Sequence, residues 1–494
     1  MPPILASVSP NSVHSAPGWR RVPGESVISP EPGPQYRLSV EFCGILGWIH
    51  SRYLVGATGI VEAQEAGVAV TVADRVRYRV ERFRRESIDE WGDSHPLYGS
   101  RPLAGDIVLT SNDYLALGRD PKIVNAMCAA LRASERHRDD QPQTALEVAL
   151  ATHLGAPSAI LCQSGWEANI GLLQSIGDPD TPVYVDSRAH MSLHYGARAA
   201  GAPVFSFRHN NVDMLGGLIA VHGPGIIAVD AIDSTSGSRA PIERLCAVAE
   251  ESGSLLVVDE SHTLGVEGPL GAGTVAGLGL ADRVAYRTAS LAKAFAGRAG
   301  VVTAGDPDFA DYFRMHAYPA VFSSAVLGRD VAALTATLAL IRAAEPRRVR
   351  LREVGLRSRS VLGALGFDLA GAAGHIVSLQ TGPASHAITV RDYLADLGVF
   401  GSMFCPPATP GDSTLIRFSL HAALTEGQID RLLTACAAVA HAFGPIPPAT
   451  ADRCPTPTRN LQRPQSAKDT ATSGVRNDEV TKVNTFDGVD TVRR

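Results

Sequence analysis

The chain has 494 residues, 45% of them hydrophobic, and a formal net charge of -5, enough to bury a large core and to divide into more than one domain. No long basic run is present, so nucleic acid and other polyanions are poor partners. The seven cysteines (Cys43, Cys128, Cys162, Cys246, Cys405, Cys436 and Cys454) are odd in number, scattered and never spaced CxxC; neither a disulfide framework nor a metal site is expected.

In chain order, residues 1–38 are rich in Pro, Ser and Gly, and residues 1–72 as a whole read as a disordered or ambiguous extension. The apolar "CGILGWIH" is too short to span a bilayer, so a soluble, cytoplasmic protein without membrane insertion is expected. Residues 73–110 form an N-terminal arm, with helical spacing in "RVRYRVERFRRES" from Arg75. The runs "AILCQ", "PVYVD", "PVFSF", "GIIAVD", "LLVVDE", "VAYRTA" and "GVVTAG" then alternate with amphipathic stretches. That is the pattern of an α/β fold with a mostly parallel sheet covered by helices, which we assign to a large domain over 111–325. A helical pattern from about Val326 to Leu365 opens a smaller C-terminal α/β domain over 326–444, with "HIVSLQT", "GVFGSMFC" and "LIRFSL" as its strands. Residues 445–494 read as a disordered tail. No internal repeat is found.

Chemistry concentrates at the strand ends. The "LLVVDESH" run ends in Asp259 and Glu260, with His262 following, where ligands collect in open α/β sheets; a helix-capping carboxylate is the plainer alternative. Lys293 lies among small, apolar and hydroxyl residues in "RTASLAKAFAGRAG", and it is the sole lysine between Lys122 and Lys468. A desolvated lysine loses its proton readily and condenses with aldehydes, which arginine cannot do. "LCQSGWEANIG" supplies a Ser-Gly turn before a helix, whose N-terminus favours an anion such as phosphate. His190 lies just past another strand end. Singly each has an ordinary structural explanation; together they are the parts a pyridoxal 5'-phosphate (PLP) site needs, an amine for the aldehyde, a carboxylate for the pyridine nitrogen, a flat ring partner and phosphate donors.

Over about Ser111 to Leu433 the sequence resembles the α-oxoamine synthases, PLP-dependent transferases of fold type I that condense an amino acid with an acyl-CoA. Within them it looks most like the CqsA-type synthases of quorum-sensing autoinducers, through "SNDYLALG", "QSGWEANIGLLQ", "HMSL", "HGPGII", "VDESHTLGVEGPLGAG", "TASLAKAFAGRAG", "YPAVFSS" and "VRDYLADLGVFGSMFCPPAT". The resemblance implies that Lys293 is the Schiff-base lysine, that Asp259 pairs with the pyridine nitrogen and that His190 stacks on the ring. It implies ring-hydroxyl contacts from Ser234 and His262, and phosphate contacts from Ser164, Gly165, Trp166 and Ser290. Ser323 and Ser324 match a segment that reaches the phosphate of a partner subunit, which implies a homodimer, and Asn112 and Arg417 match positions that hold the substrate carboxylate.

For the autoinducer branch the resemblance implies a medium- or long-chain acyl-CoA and an amino acid such as S-adenosylmethionine or 2-aminobutyrate. Rival readings are a biosynthetic α-oxoamine synthase for biotin or sphingoid bases, a fold-type I aminotransferase and a non-catalytic PLP-fold binding protein. Glycine-using relatives tend to carry a glycine-rich loop before the helix corresponding to "QTALEVALATHLG". This chain has no glycine between Gly118 and Gly155, so an amino substrate larger than glycine is expected, its pocket shaped by residues 132–143.

Overall fold

The computed structural model describes residues 71–85, 99–133, 141–369, 371–405, 408–409 and 414–444. The extension over 1–70, residues 134–140 of the expected pocket loop and the tail from 445 lie outside the described residues.

The first helix, Val72–Phe83, starts three residues before the predicted Arg75, because Thr71 and Asp74 form a reciprocal capping box. Beyond it the arm also contributes a strand the sequence did not suggest, β1 (Ile107–Val108). Two residues are too few for alternation to show; β1 exists through its parallel pairing with β10 (Val399–Phe400), from the far end of the chain.

Seven strands form the main sheet: β2 (Ser158–Cys162), β3 (Val183–Asp186), β4 (Val204–Phe207), β5 (Ile226–Asp230), β6 (Leu255–Asp259), β7 (Tyr286–Ser290) and β8 (Gly300–Ala304), in the order β2-β8-β7-β6-β5-β3-β4. All but β8 run parallel. Strands β2, β3, β5 and β6 read as near-continuous apolar runs because helices cover both faces. The reversal of β8 follows from chain length. A parallel return needs a crossover of about a dozen residues or more, whereas residues 291–299 suffice only to turn back. Lys293 therefore sits in a tight turn at the carboxyl end of β7, closed by Ala296 N–H on the Lys293 carbonyl (2.8 Å) and Leu291 N–H on the Ala299 carbonyl (2.9 Å). Ala296 takes a left-handed φ of 50° to make that turn.

The helical pattern from 326 to 365 is two helices, Gly328–Arg342 and Glu345–Ala364. Pro346 has no N–H to continue the first, and instead occupies the first turn of the second, where none is needed. The C-terminal sheet is antiparallel, in the order β11 (Ser402–Phe404), β12 (Thr414–Ser419), β9 (Ile376–Gly382). One apolar cluster runs from Leu115 and Leu146 through Leu291 and Phe295 to Leu379 and Phe418, and so ties this sheet to the Lys293 turn.

Candidate active site at the carboxyl ends of the strands

Parallel strands bring their carboxyl ends to one edge. Asp186, Asp230 and Asp259 are the last residues of β3, β5 and β6, and Asp230 and Asp259 are direct partners in the ladder. Asp259 is buried, its Oδ1 accepting Ser261 N–H (2.8 Å) and its Oδ2 the Asn169 amide (2.6 Å). Asp230 accepts His190 N–H at Oδ2 (3.0 Å), while its buried Oδ1 has no partner among the described residues. Burial, with Asp259 and Asp233 nearby, drives the Asp230 carboxyl well above the ordinary carboxylate range.

The Lys293 amine is pushed below the ordinary lysine value, chiefly by burial and further by the Arg417 charge, against the opposing pull of Asp259 and Asp230. That combination leaves more of the free base near neutrality than a surface lysine offers. His190 is likewise depressed, mainly by burial. It caps helix Met191–Ala199, its Nδ1 accepting Ser192 N–H (3.4 Å) and lying 2.7 Å from Ser192 Oγ.

At the turn expected to meet a phosphate, Ser164 caps helix Gly165–Ile176 by accepting Glu167 N–H (3.1 Å). Gly165 lies so close to the end of β7 that a Cβ there would stand 2.6 Å from Ser290 Cβ and 2.8 Å from Ser290 Cα. The helix N-terminus and Ser290 thus meet at one point, and only glycine permits it. Trp166 stands edge-on to His190 with ring centroids 5.9 Å apart. Ser323 and Ser324 are exposed; Ser323 Oγ turns back to the Pro319 carbonyl (2.5 Å), and Gln163 Nε2 donates to the Ser324 carbonyl, which ties this segment to the phosphate turn.

Among the residues expected to hold a substrate carboxylate, buried Arg417 donates to the Ser234 carbonyl (2.7 Å) and to Asn112 Oδ1 (3.2 Å) and lies over the Phe404 ring. Its buried Nε–H has no partner among the described residues. Tyr114 O–H meets His262 Nδ1 at 2.6 Å and Asn112 Oδ1 at 3.1 Å. His262 is held well below the ordinary histidine value by burial and by the Lys293 and Arg417 charges.

Sequence reasoning missed Asn169, Ser192, Thr288, Tyr114 and Asp230. Tyr114 and Asn169 stand inside quoted motifs, and a buried asparagine on a helix face otherwise made by Ala168, Leu172 and Leu173 is the kind of signal that could have found the second. The donor set fits PLP: an amine of lowered basicity, a buried carboxyl, a flat uncharged imidazole, and a helix N-terminus against a serine where a side chain at Gly165 would intrude. No cluster of His, Cys, Asp or Glu among the described residues is placed to hold a metal.

The profile of the aminotransferase class I and II family matches residues 104–435. The chain is 42% identical to the CAI-1 autoinducer synthase of Vibrio campbellii over 350 residues, 69% of this chain and 88% of that one. It is 33% identical to the 8-amino-7-oxononanoate synthase of Anaeromyxobacter dehalogenans over 383 residues, 74% and 95% of the two chains. A high-resolution structure of SPT with PLP superposes with a TM-score of 0.67 at 25% identity, covering 75% of this chain and 98% of that one.

Proposed function

Because the chain belongs to the aminotransferase class I and II family, and within it to the α-oxoamine synthases, we propose that it condenses a medium- or long-chain acyl-CoA with an amino acid of the S-adenosylmethionine or 2-aminobutyrate type, and that its α-aminoketone product is a quorum-sensing autoinducer. The cofactor is PLP. The observation that carries the chemistry is the Lys293 amine, lowered in basicity by burial while Asp259, Asp230 and Arg417 surround it. The autoinducer branch rests on the 42% identity to the CAI-1 autoinducer synthase, against 33% for the 8-amino-7-oxononanoate synthase.

When bound, PLP supplies an electron-withdrawing ring that takes up the pair left by a departing α-proton. Lys293 Nζ removes that proton as a general base, its lowered basicity keeping it available near neutral pH. Asp259 would hold a proton at the pyridine nitrogen, His190 would cover one ring face and exclude water from it, and His262 and Ser234 would orient the ring hydroxyl. Arg417 Nε–H, with Asn112 beside it, holds the substrate carboxylate and so satisfies the guanidinium's unpaired donor. The α-carbon bonds to the acyl carbonyl carbon as the carbon–sulfur bond breaks, CoA takes a proton from solvent and leaves as the thiol, the original carboxylate departs as carbon dioxide, and Lys293 returns its proton to the α-carbon.

Two surfaces support a homodimer. Met315, Tyr318, Val321 and Phe322 are exposed beside Ser323 and Ser324, next to the phosphate turn, and helix Val72–Phe83 leaves Val72, Val76, Val80 and Phe83 uncovered. A second copy covering the first of these is the arrangement required by the family resemblance, which assigns Ser323 and Ser324 to a partner subunit's phosphate. No helix among the described residues is long and apolar enough to cross a membrane.

The test is product mass spectrometry with a panel of acyl-CoAs and glycine, alanine, 2-aminobutyrate and S-adenosylmethionine at equal concentration. The expected outcome is the highest kcat/KM for one of the two larger amino acids. A preference for glycine or alanine would assign the enzyme to the biosynthetic branch of the same family.

A further inference from the structure

Asn169 lies mid-helix in Gly165–Ile176, almost fully buried, on a face otherwise filled by Ala168, Leu172 and Leu173. Its side chain commits its amide oxygen and both amide hydrogens to residues at the candidate site. Thr288 Oγ1, on β7, donates to Asn169 Oδ1 (2.5 Å). The two Nδ2 hydrogens go to Asp259 Oδ2 (2.6 Å) and to Ser192 Oγ (2.8 Å). The amide cannot be reversed, because that would set its oxygen against a carboxyl oxygen.

Having accepted from Asn169, Ser192 Oγ has its own hydrogen to give, and it lies 2.7 Å from His190 Nδ1. Ser192 N–H points at the same Nδ1 from 3.4 Å. The backbone N–H can only donate, so this nitrogen carries the lone pair, the Ser192 hydroxyl gives it its hydrogen, and the ring hydrogen is left on Nε2. A leucine at position 169 would fill the same space without the cost of burying an amide, so the contribution of Asn169 is directional rather than volumetric.

We propose that Asn169 is a positioning residue for the reaction: one amide orients the carboxyl of Asp259 and, through Ser192, holds His190 as the Nε2–H tautomer. The group assigned to the pyridine nitrogen and the group assigned to the ring face are then set by a single side chain. The proposal rests on the roles given above to Asp259 and His190.

The test compares Asn169→Ala, Asn169→Asp and Ser192→Ala with the parent protein. The cofactor-free proteins are read by ¹⁵N chemical shifts of the His190 ring and by PLP titration, and the loaded enzymes by kcat and KM across pH. The parent should show hydrogen on Nε2, and Asn169→Ala and Ser192→Ala should show a tautomer mixture. Asn169→Ala should lose about 10- to 100-fold in kcat, the range seen when a supporting hydrogen bond to a reacting-site ligand is removed, with KM for the amino substrate nearly unchanged.

Asn169→Asp supplies the same shape but a like charge against Asp259. Its kcat should therefore climb back toward the parent value as pH falls, when the two carboxyls share a proton and the hydrogen bond returns. A residue that only filled space would not create that acid-side recovery. Parent-like tautomer, kcat and pH profile in the Asn169 variants would overturn the proposal. If those variants do not fold, Ser192→Ala decides it alone, an unchanged His190 tautomer overturning it. Asp259→Asn run in parallel separates the two claims: if it too leaves α-proton exchange unaltered, the site assignment itself fails and this inference with it.

Discussion

Two acid–base pairs grow from the same two strands and have opposite fates. Asp259 and Glu260 are consecutive at the end of β6, while Arg287 lies within β7 and Lys293 just beyond it. Glu260 and Arg287 form a closed set. Arg287 donates to Glu260 Oε2 (2.6 Å) and to the carbonyls of Leu154 (2.5 Å) and Ala272 (2.7 Å), and Val275 N–H donates to Glu260 Oε1 (2.9 Å). The set around Lys293 stays open, with Asp230 Oδ1 and Arg417 Nε buried and without partners among the described residues. A closed buried pair stabilises one conformation, whereas an open set keeps donors and acceptors for something the chain does not itself supply. A carboxyl or a cation in a parallel-sheet protein is thus diagnosed by which of its atoms are already used.

The widest separation between the two sets should come from Lys293→Ala, which is expected to lower turnover by about 10⁴-fold or more with the thermal midpoint nearly unchanged. Lys293→Arg should fail equally, since a guanidinium neither condenses with an aldehyde nor gives up its proton. Steady-state assay and thermal melts check both, and parent-like turnover in either variant would remove the central assignment. Glu260→Ala should do the reverse, costing about 3–5 kcal/mol of folding free energy by stranding the buried Arg287 charge, read as a lower urea midpoint. A loss of less than about 1 kcal/mol would mean that the closed set is not a stabilising unit.

Asp259→Asn should keep PLP bound but slow α-proton removal by about 100-fold, the scale of one electrostatic partner lost, as measured by single-turnover deuterium exchange. Unchanged exchange would count against the carboxyl's pairing with the pyridine nitrogen.

The smallest effect tests the limit of the contrast. His153 and His375 also carry an unpaired Nε2, yet burial pushes each down to about 4, so they stay neutral rather than wait for a ligand. The unfolded chain binds a proton at each below about pH 6.5 while the native protein does not until about pH 4, so stability must fall as pH drops through that window. The loss should be on the order of 1–3 kcal/mol for each histidine, seen as falling urea midpoints between pH 7 and pH 4. Midpoints that fall less steeply in a His375→Gln variant than in the parent would assign the difference to His375, and equal slopes would leave it no share.

Local pattern alone determined β2, β3, β5 and β6, because strands covered on both faces must be apolar throughout and are bounded by turn residues. The same holds for Asp259 at the end of β6, since a polar residue closing an apolar run marks the strand's carboxyl end, and for the oddity of a lysine within "SLAKAFAG". The reversal of β8 was not read from the sequence; the shortness of residues 291–299 accounts for it once the strand ends are known. What only tertiary structure decided is everything that depends on two distant segments arriving together. The β1–β10 pairing joins residues 107 and 399, and the Tyr114 to His262 contact spans 148 positions. Asn169 had the right residue type in a legible helix, but nothing local says that its amide faces Asp259, 90 residues away. The physical reason is directional: burial is a property of a residue's face and shows in periodicity, whereas a hydrogen bond is a property of two groups whose meeting the packed sheet alone arranges.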